Sequence, residues 1–436
     1  MAVKLFAAID VGSYELTMKI FEISSKSGIK EIDCINHRLA LGVDSYKTGK
    51  LSREKMDELC DTLRDFKEIM KTYKVDDYKA YGTSAIRETE NTLIVLDQIK
   101  NRTGMTVDVI SNSEQRFLNY KAIATKGEAF DKCIEGGCAI LDIGGGSVQI
   151  SLFEKDSLVT TQNMRLGVMR LRERLEALAP RSGQSEKLIE EMVNNQFSLF
   201  KKMYLKERKI QNLIVVDDYL SVVLQKNKIC KVPGEIDYDD YQKFMDEVSH
   251  KNRIDCSLAL EISEEHASLM FFSAVLIKRI MEVTGASHIW APGTTLCDGI
   301  AYEYAQKNNL ITISHDFEKD IIACAQNISK RYRGSKRRSE TLEQIALAIF
   351  DSMKKIHGLD KRERLLLQIS TILHDCGKYI SMVNLGECSY SIIMATEIIG
   401  LSANCYGDFL VKHCRHSFRL FIRRFLAAYY LLFIIS

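Results

Sequence analysis

The sequence predicts an α/β protein of two related mixed-sheet domains facing a cleft, followed by an all-α domain. Three observations carry that expectation. Residues 6–22 read FAAIDVGSYELTMKIFE and residues 138–154 read CAILDIGGGSVQISLFE, one pattern used twice. Strand-like and helix-like segments alternate along most of the first 307 residues, the order that lays helices on a mixed sheet. From about residue 312 the strand signals stop and long helical segments take over.

The repeated pattern aligns at a constant offset, with Asp10 on Asp142, Gly12 on Gly144, Phe21 on Phe153 and Glu22 on Glu154. Each copy reads as an apolar strand, a carboxylate, a Gly/Ser turn and a second strand, which is a hairpin signature. Copies so far apart imply two related domains rather than a tandem array. A turn rich in glycine lets backbone N–H groups approach an anion, and the adjacent Asp can hold a divalent cation against it.

The remaining elements follow in order. LSREKMDELCDTLRDFKEIMKTY (51–73) places Met56, Leu59, Leu63, Phe66 and Met70 on one helical stripe. YKAYGT (78–83) reads as a strand, NTLIVLDQIKNRTG (91–104) as a helix stopped by Gly104, MTVDVI (105–110) as a strand and SNSEQRFLNYKAIA (111–124) as a helix. In the second domain, 185–209 is expected as one long helix, NLIVVD (212–217) as a buried strand, 267–285 as a core helix, and 287–307 as strand, turn and helix. The expected domains are 1–130, 131–308 and a helical 312–400, with 401–436 set apart. That last stretch is basic, ends LFIRRFLAAYYLLFIIS and reads as a frameshifted or disordered tail, its apolar run too short to span a bilayer.

The bulk numbers narrow the class. At 436 residues the chain exceeds one core. A formal net charge of +2 points to neither a nucleic-acid binder nor an acidic tail. The N-terminus enters a strand without a signal peptide, and the twelve cysteines show no CxxC spacing. Both predict a cytoplasmic protein with reduced thiols. Oligomeric state stays open, a homodimer included.

DVGS (10–13), GTSAIRETEN (82–91) and DIGGGS (142–147) together resemble the exopolyphosphatase/guanosine pentaphosphate phosphohydrolase (Ppx/GppA) family over about residues 1–305. The resemblance implies two actin-like domains of the Hsp70 and sugar-kinase superfold. It also implies a Mg²⁺-dependent phosphohydrolase acting on inorganic polyphosphate or pppGpp. On it, Asp10 and Asp142 hold the cation and align water. Gly12, Ser13, Gly144, Gly145, Gly146 and Ser147 wrap phosphate, and Arg87 faces the phosphate charge.

The chain departs from the family pattern at several of these places. The general-base glutamate position is Gln115, followed by Arg116, and a second carboxylate position is Gln149. An amide can orient water but does not accept its proton at neutral pH. Glu114 is the neighbouring candidate, so Glu114 or Gln115 is expected to position the water. Tyr14 and Glu15 stand where the first hairpin has small polar residues, and Asp217 and Asp218 replace a small-residue turn. Carboxylates at 217–218 would repel phosphate unless a cation intervenes. These departures open a second reading, a sensor that binds polyphosphate or an alarmone with little turnover. A sugar kinase or ATPase is disfavoured because VVDDY lacks the Gly-rich adenosine contact.

HDCGK (374–378) resembles the HD phosphohydrolase signature, with His374 and Asp375 expected within a helix as a degenerate metal pair and Arg338 in the place of the upstream His. The basic RYRGSKRR (331–338) is a candidate polyanion contact.

Overall fold

The computed structural model describes residues 3–155, 157–178, 185–226, 229–311, 315–396 and 398–401. The expected tail at 401–436 lies, apart from Leu401, outside the described residues. The chain divides into two compact units, one of residues 1–156 and 163–315, the other of 157–162 and 316–436.

There are two sheets, whose strands belong to the first unit apart from residues 157–162. Strands β1 (Lys4–Val11), β2 (Glu15–Ser24), β3 (Gly28–Arg38), β4 (Asp77–Gly82) and β5 (Asp108–Val109) run in the order β3-β2-β1-β4-β5. The second sheet uses β6 (Cys138–Ile143), β7 (Val148–Glu154), β8 (Ser157–Met164), β9 (Asn212–Asp217), β10 (Glu235–Asp237) and β11 (His288–Trp290), in the order β10-β11-β9-β6-β7-β8. Read from its other edge, the second order repeats the first through five strands. In both sheets the hairpin is antiparallel and its first strand pairs in parallel with the next strand to join, β1 with β4 and β6 with β9.

The duplication reaches individual hydrogen bonds. Asp10 pairs with Thr17 and Asp142 with Gln149 across their hairpins. Gly12 N donates to Glu15 O at 3.1 Å, and Gly144 N to Ser147 O at 3.0 Å. One offset relates all four pairs, so the two acidic residues leave equivalent positions of equivalent turns.

Alternation along β1 decides which way Asp10 points, because successive side chains leave opposite faces of a strand. Ala7, Ile9 and Val11 join Leu59, Leu63 and Phe66 of the helix Arg53–Tyr73 and Val95 and Ile99 of the helix Thr92–Thr103. Phe6 and Ala8 face Leu118 of the helix Asn112–Ala124 and Ile300 and Ala301 of the helix Leu296–Lys307. Asp10 continues that second row. The two covering helices cross closely: a Cβ on Gly299 would lie 2.1 Å from Leu118 O.

Several elements differ from expectation. The first hairpin grows into a three-stranded meander with β3, and a helix Leu41–Thr48 follows it. Only Asp108–Val109 of the segment 105–110 is strand, and the helix from Ser185 ends at Phe200 in a π turn over Lys201–Leu205. The helix Leu296–Lys307, expected with the second domain, shares its core with the first sheet.

The second unit is helical apart from residues 157–162. Its helices include Phe317–Arg331, Lys336–Ser352, Lys361–Leu373 and Leu385–Thr396. Ala346, Phe350 and Leu367 form its local core.

Candidate active site

The two glycine turns meet. A Cβ on Gly145 would lie 2.9 Å from Ser13 Cβ, and one on Gly146 would lie 2.3 Å from the Tyr46 hydroxyl. No side chain fits at either place, so the glycines are required by the approach itself. The hydroxyls of Ser13, Tyr46 and Ser84 form a closed triangle, with oxygens 2.7, 2.8 and 2.8 Å apart. Across the same junction the ring of Tyr14 packs on Tyr219 at 6.0 Å between centroids.

Burial drives the electrostatics of the acidic pair. It pushes the Asp10 carboxyl up to about 7, with Asp142 and Glu15 adding repulsion. Asp142 rises to about 6, again chiefly through burial, and is held lower than burial alone would leave it by the Asn119 hydrogen bond and by the guanidinium groups of Arg116 and Arg87. Glu15 is also raised by burial, with Arg38 opposing. Asp218 is raised well above the usual carboxylate range by burial and then by Glu15, Asp10, Asp217 and Asp142. The residue as a whole is nonetheless exposed to solvent. Asp142 and Glu15 thus raise Asp10, and Glu15, Asp10, Asp217 and Asp142 raise Asp218.

Asp217 has a different job from its neighbour. Its carboxylate accepts from Leu220 N at 3.0 Å, Ser221 N at 2.6 Å and Ser273 Oγ at 2.5 Å, which anchors the helix Leu220–Gln225.

The helix Asn112–Ala124 places the residues expected to handle water. Glu114 closes a capping box: its Oε2 accepts from Ser111 N at 3.0 Å and from Ser111 Oγ at 2.8 Å. That carboxylate is spent on the helix end. Gln115 stands one turn before Asn119, and its Oε1 is buried without a hydrogen-bond partner. Arg87 donates from Nη1 to Ile110 O at 2.7 Å and from Nη2 to Asn112 Oδ1 at 2.5 Å, so it also braces the start of this helix.

The donor set suits a hard cation. Asp10 Oδ1, Asn119 Oδ1, Gln115 Oε1 and Gln149 Oε1 are buried acceptors without a hydrogen-bond partner. Buried acceptors left unmatched are costly, and a divalent cation or a donor-rich ligand relieves them. All are oxygens, the donors Mg²⁺ prefers, and Mg²⁺ takes one or two protein carboxylates and completes its shell with water and phosphate. Among the described residues no three His, Cys, Asp or Glu side chains form a ready-made metal cage.

The expected second metal pair sits differently. The helix Lys361–Leu373 ends before His374, and Asp375 lies in the turn leading to the 3₁₀ segment Cys376–Tyr379. His374 Nδ1 lies 2.8 Å from Thr371 O, while Asp375 Oδ2 accepts from Ser335 N at 3.3 Å and Lys378 Nζ at 3.2 Å. Burial pushes the His374 pKa down, and Arg338 lowers it further. No third ligand joins them among the described residues.

A profile of the Ppx/GppA phosphatase family matches residues 20–308. The chain belongs to the Ppx/GppA phosphatase family. A guanosine-5'-triphosphate,3'-diphosphate pyrophosphatase of Photobacterium profundum is 22% identical over 410 residues, covering 91% of this chain and 77% of that protein. Exopolyphosphatase 1 of Mycobacterium tuberculosis is 28% identical over 163 residues, 37% of this chain and 46% of that protein. Among solved structures, an exopolyphosphatase from Cytophaga hutchinsonii superposes with a TM-score of 0.61 at 20% identity, covering 70% of this chain and 99% of that one. The Aquifex aeolicus Ppx/GppA member gives 0.58 at 19% identity, with 71% and 99% covered. The two mixed sheets of this Ppx/GppA member therefore form the actin-like pair of that fold. No helix among its described residues is long and apolar enough to cross a membrane.

Proposed function

We propose that this Ppx/GppA protein is a Mg²⁺-dependent phosphohydrolase that releases terminal phosphate from inorganic polyphosphate or from pppGpp. One observation carries the reading: two equivalent acidic hairpins converge, with Gly145 backed onto Ser13 and with Asp142 raising the pKa of Asp10. Asp10 and Asp142 would hold the cation, with the amide oxygens of Asn119 and Gln149 beside them. The cation supplies charge neutralisation on the phosphoryl group, the main requirement of phosphoryl transfer.

The chain's own residues do the rest. The N–H groups of Gly145, Gly146 and Ser147 cradle phosphate oxygens, and the buried Arg116 with Arg87 sets a positive field behind Asp142. Gln115 orients the attacking water through its amide. Asp218, which faces the charges of Glu15, Asp10, Asp217 and Asp142, would be the carboxylate to take the base role when ionised. The names of the pyrophosphatase and exopolyphosphatase relatives support this substrate class.

A second reading has its own observation: both Gln115 and Gln149 present amides where a proton acceptor is needed, which favours a polyphosphate or alarmone sensor of weak turnover. Purified protein with Mg²⁺ and either substrate separates the two. Phosphate release abolished by Asp142→Ala supports the enzyme. Tight binding without release supports the sensor, and neither binding nor release would sink both.

A further inference from the structure

The carbonyls of the three turn glycines all bond toward one segment. Gly144 O accepts from Val168 N at 3.1 Å, and Gly145 O from Met169 N at 3.0 Å and Arg170 N at 3.2 Å. The Gly146 carbonyl is taken by a side chain instead, from Arg170 Nε at 2.9 Å. Gly167 permits this approach, because a Cβ there would lie 2.3 Å from Ser147 N and 2.4 Å from Gly145 O. A peptide unit is planar and trans, so each carbonyl fixed toward the helix Val168–Leu178 sends the next N–H the opposite way. Those N–H groups belong to Gly145, Gly146 and Ser147, and none donates to a backbone acceptor among the described residues.

The same guanidinium reaches the other hairpin's side of the junction. Arg170 Nη2 donates to Glu88 Oε2 at 2.6 Å, and its plane lies over the Tyr46 ring at 4.5 Å. Tyr46 is in turn bonded to Ser13 and Ser84. The Arg170 and Glu88 side chains are 15% and 27% exposed, so the pair is largely shielded from water. One planar fork thereby serves a carbonyl of one lobe and a carboxylate of the other, which a lysine's point charge does not reproduce.

We infer that Arg170 is a positioning residue: it sets the Gly146–Ser147 peptide and ties that setting to the first lobe through Glu88. The inference rests on the phosphohydrolase reading, since phosphate is what the peptide is set for. It makes approach of the lobes and completion of the anion cradle a single event.

Phosphate release from polyphosphate and from pppGpp, together with thermal unfolding, is measured for wild type, Arg170→Lys, Glu88→Gln, the exchange Glu88→Arg with Arg170→Glu, and Asp142→Ala. Arg170→Lys is expected to raise KM tenfold or more with kcat within threefold, the pattern of lost uniform binding. The exchange restores an ion pair but leaves no donor for Gly146, so its KM stays as high. Recovery of KM in the exchange overturns the inference, because the ion pair alone would then suffice. An unchanged KM in Arg170→Lys overturns it too. If Arg170→Lys does not fold, Glu88→Gln decides, with KM expected to rise threefold or more and an unchanged KM counting against Arg170. Release abolished by Asp142→Ala alongside an unchanged Arg170→Lys refutes the positioning role only, whereas no release by wild type removes the phosphohydrolase reading and the positioning role with it.

Discussion

Asn119 donates from Nδ2 to Asp142 Oδ2 at 2.7 Å, in a pair that is buried on both sides. The helix that covers the first sheet thus holds the acidic residue of the second hairpin. The bond favours the ionised carboxylate, because its donor faces the charge.

Replacing Asn119 with Leu removes that donor. The Asp142 carboxyl, already at about 6, then moves higher, and protonation persists to higher pH. The acid limb of kcat/KM against pH is expected to shift upward by about one unit, the scale of one hydrogen bond to a charged group. An unmoved limb would show that Asp142 does not govern it.

Asp10 imposes a pH dependence on stability. Its folded pKa of about 7 exceeds the ordinary 3.8, so the folded state binds the proton more tightly than the unfolded chain. Its stabilising effect is complete below about pH 4 and is lost as pH rises through 7. With chelator present, wild type is expected to lose more thermal stability between pH 5 and pH 8 than Asp10→Asn. Parallel curves for the two proteins would count against this.

Gln115→Glu places a proton acceptor where the amide now stands. Phosphate release is expected to rise, with about 10²-fold the lower end of what a positioned base contributes. A rate that stays level or falls would show that Gln115 does not face the attacking water.

Arg87 binds Ile110 O and Asn112 Oδ1. Arg87→Ala should therefore lower stability by about 2–3 kcal/mol in urea unfolding, as expected for charge-assisted bonds lost from a shielded site, in addition to any loss of substrate affinity. Unchanged stability would assign Arg87 to the ligand alone.

What could be read from the sequence was whatever repeats or has local period. The twin hairpins were legible because two copies match residue by residue, and the helix Arg53–Tyr73 because Met56, Leu59, Leu63, Phe66 and Met70 recur at its spacing and are buried. Glu114 next to Gln115 was ambiguous for a local reason: the Ser111–Glu114 capping box uses that carboxylate, a pattern equally readable as a candidate base. Asn119 and Arg170 left no trace, since their partners lie 23 and 82 residues away. For Arg170 the one available signal was Gly167 ahead of an arginine-rich amphipathic helix, which reads as an ordinary helix start. The segment 105–110 was overread as strand because apolar alternation does not reveal where a sheet edge ends.

The helix Leu296–Lys307 brings the chain home after its excursion through the second sheet, covering Phe6, Ala8, Phe21 and Ile23. Two crossings, outward and return, therefore join the halves, and no single cut divides them cleanly. A fragment ending near residue 130 would carry a bare greasy face, so the halves are to be dissected by coexpression rather than by truncation.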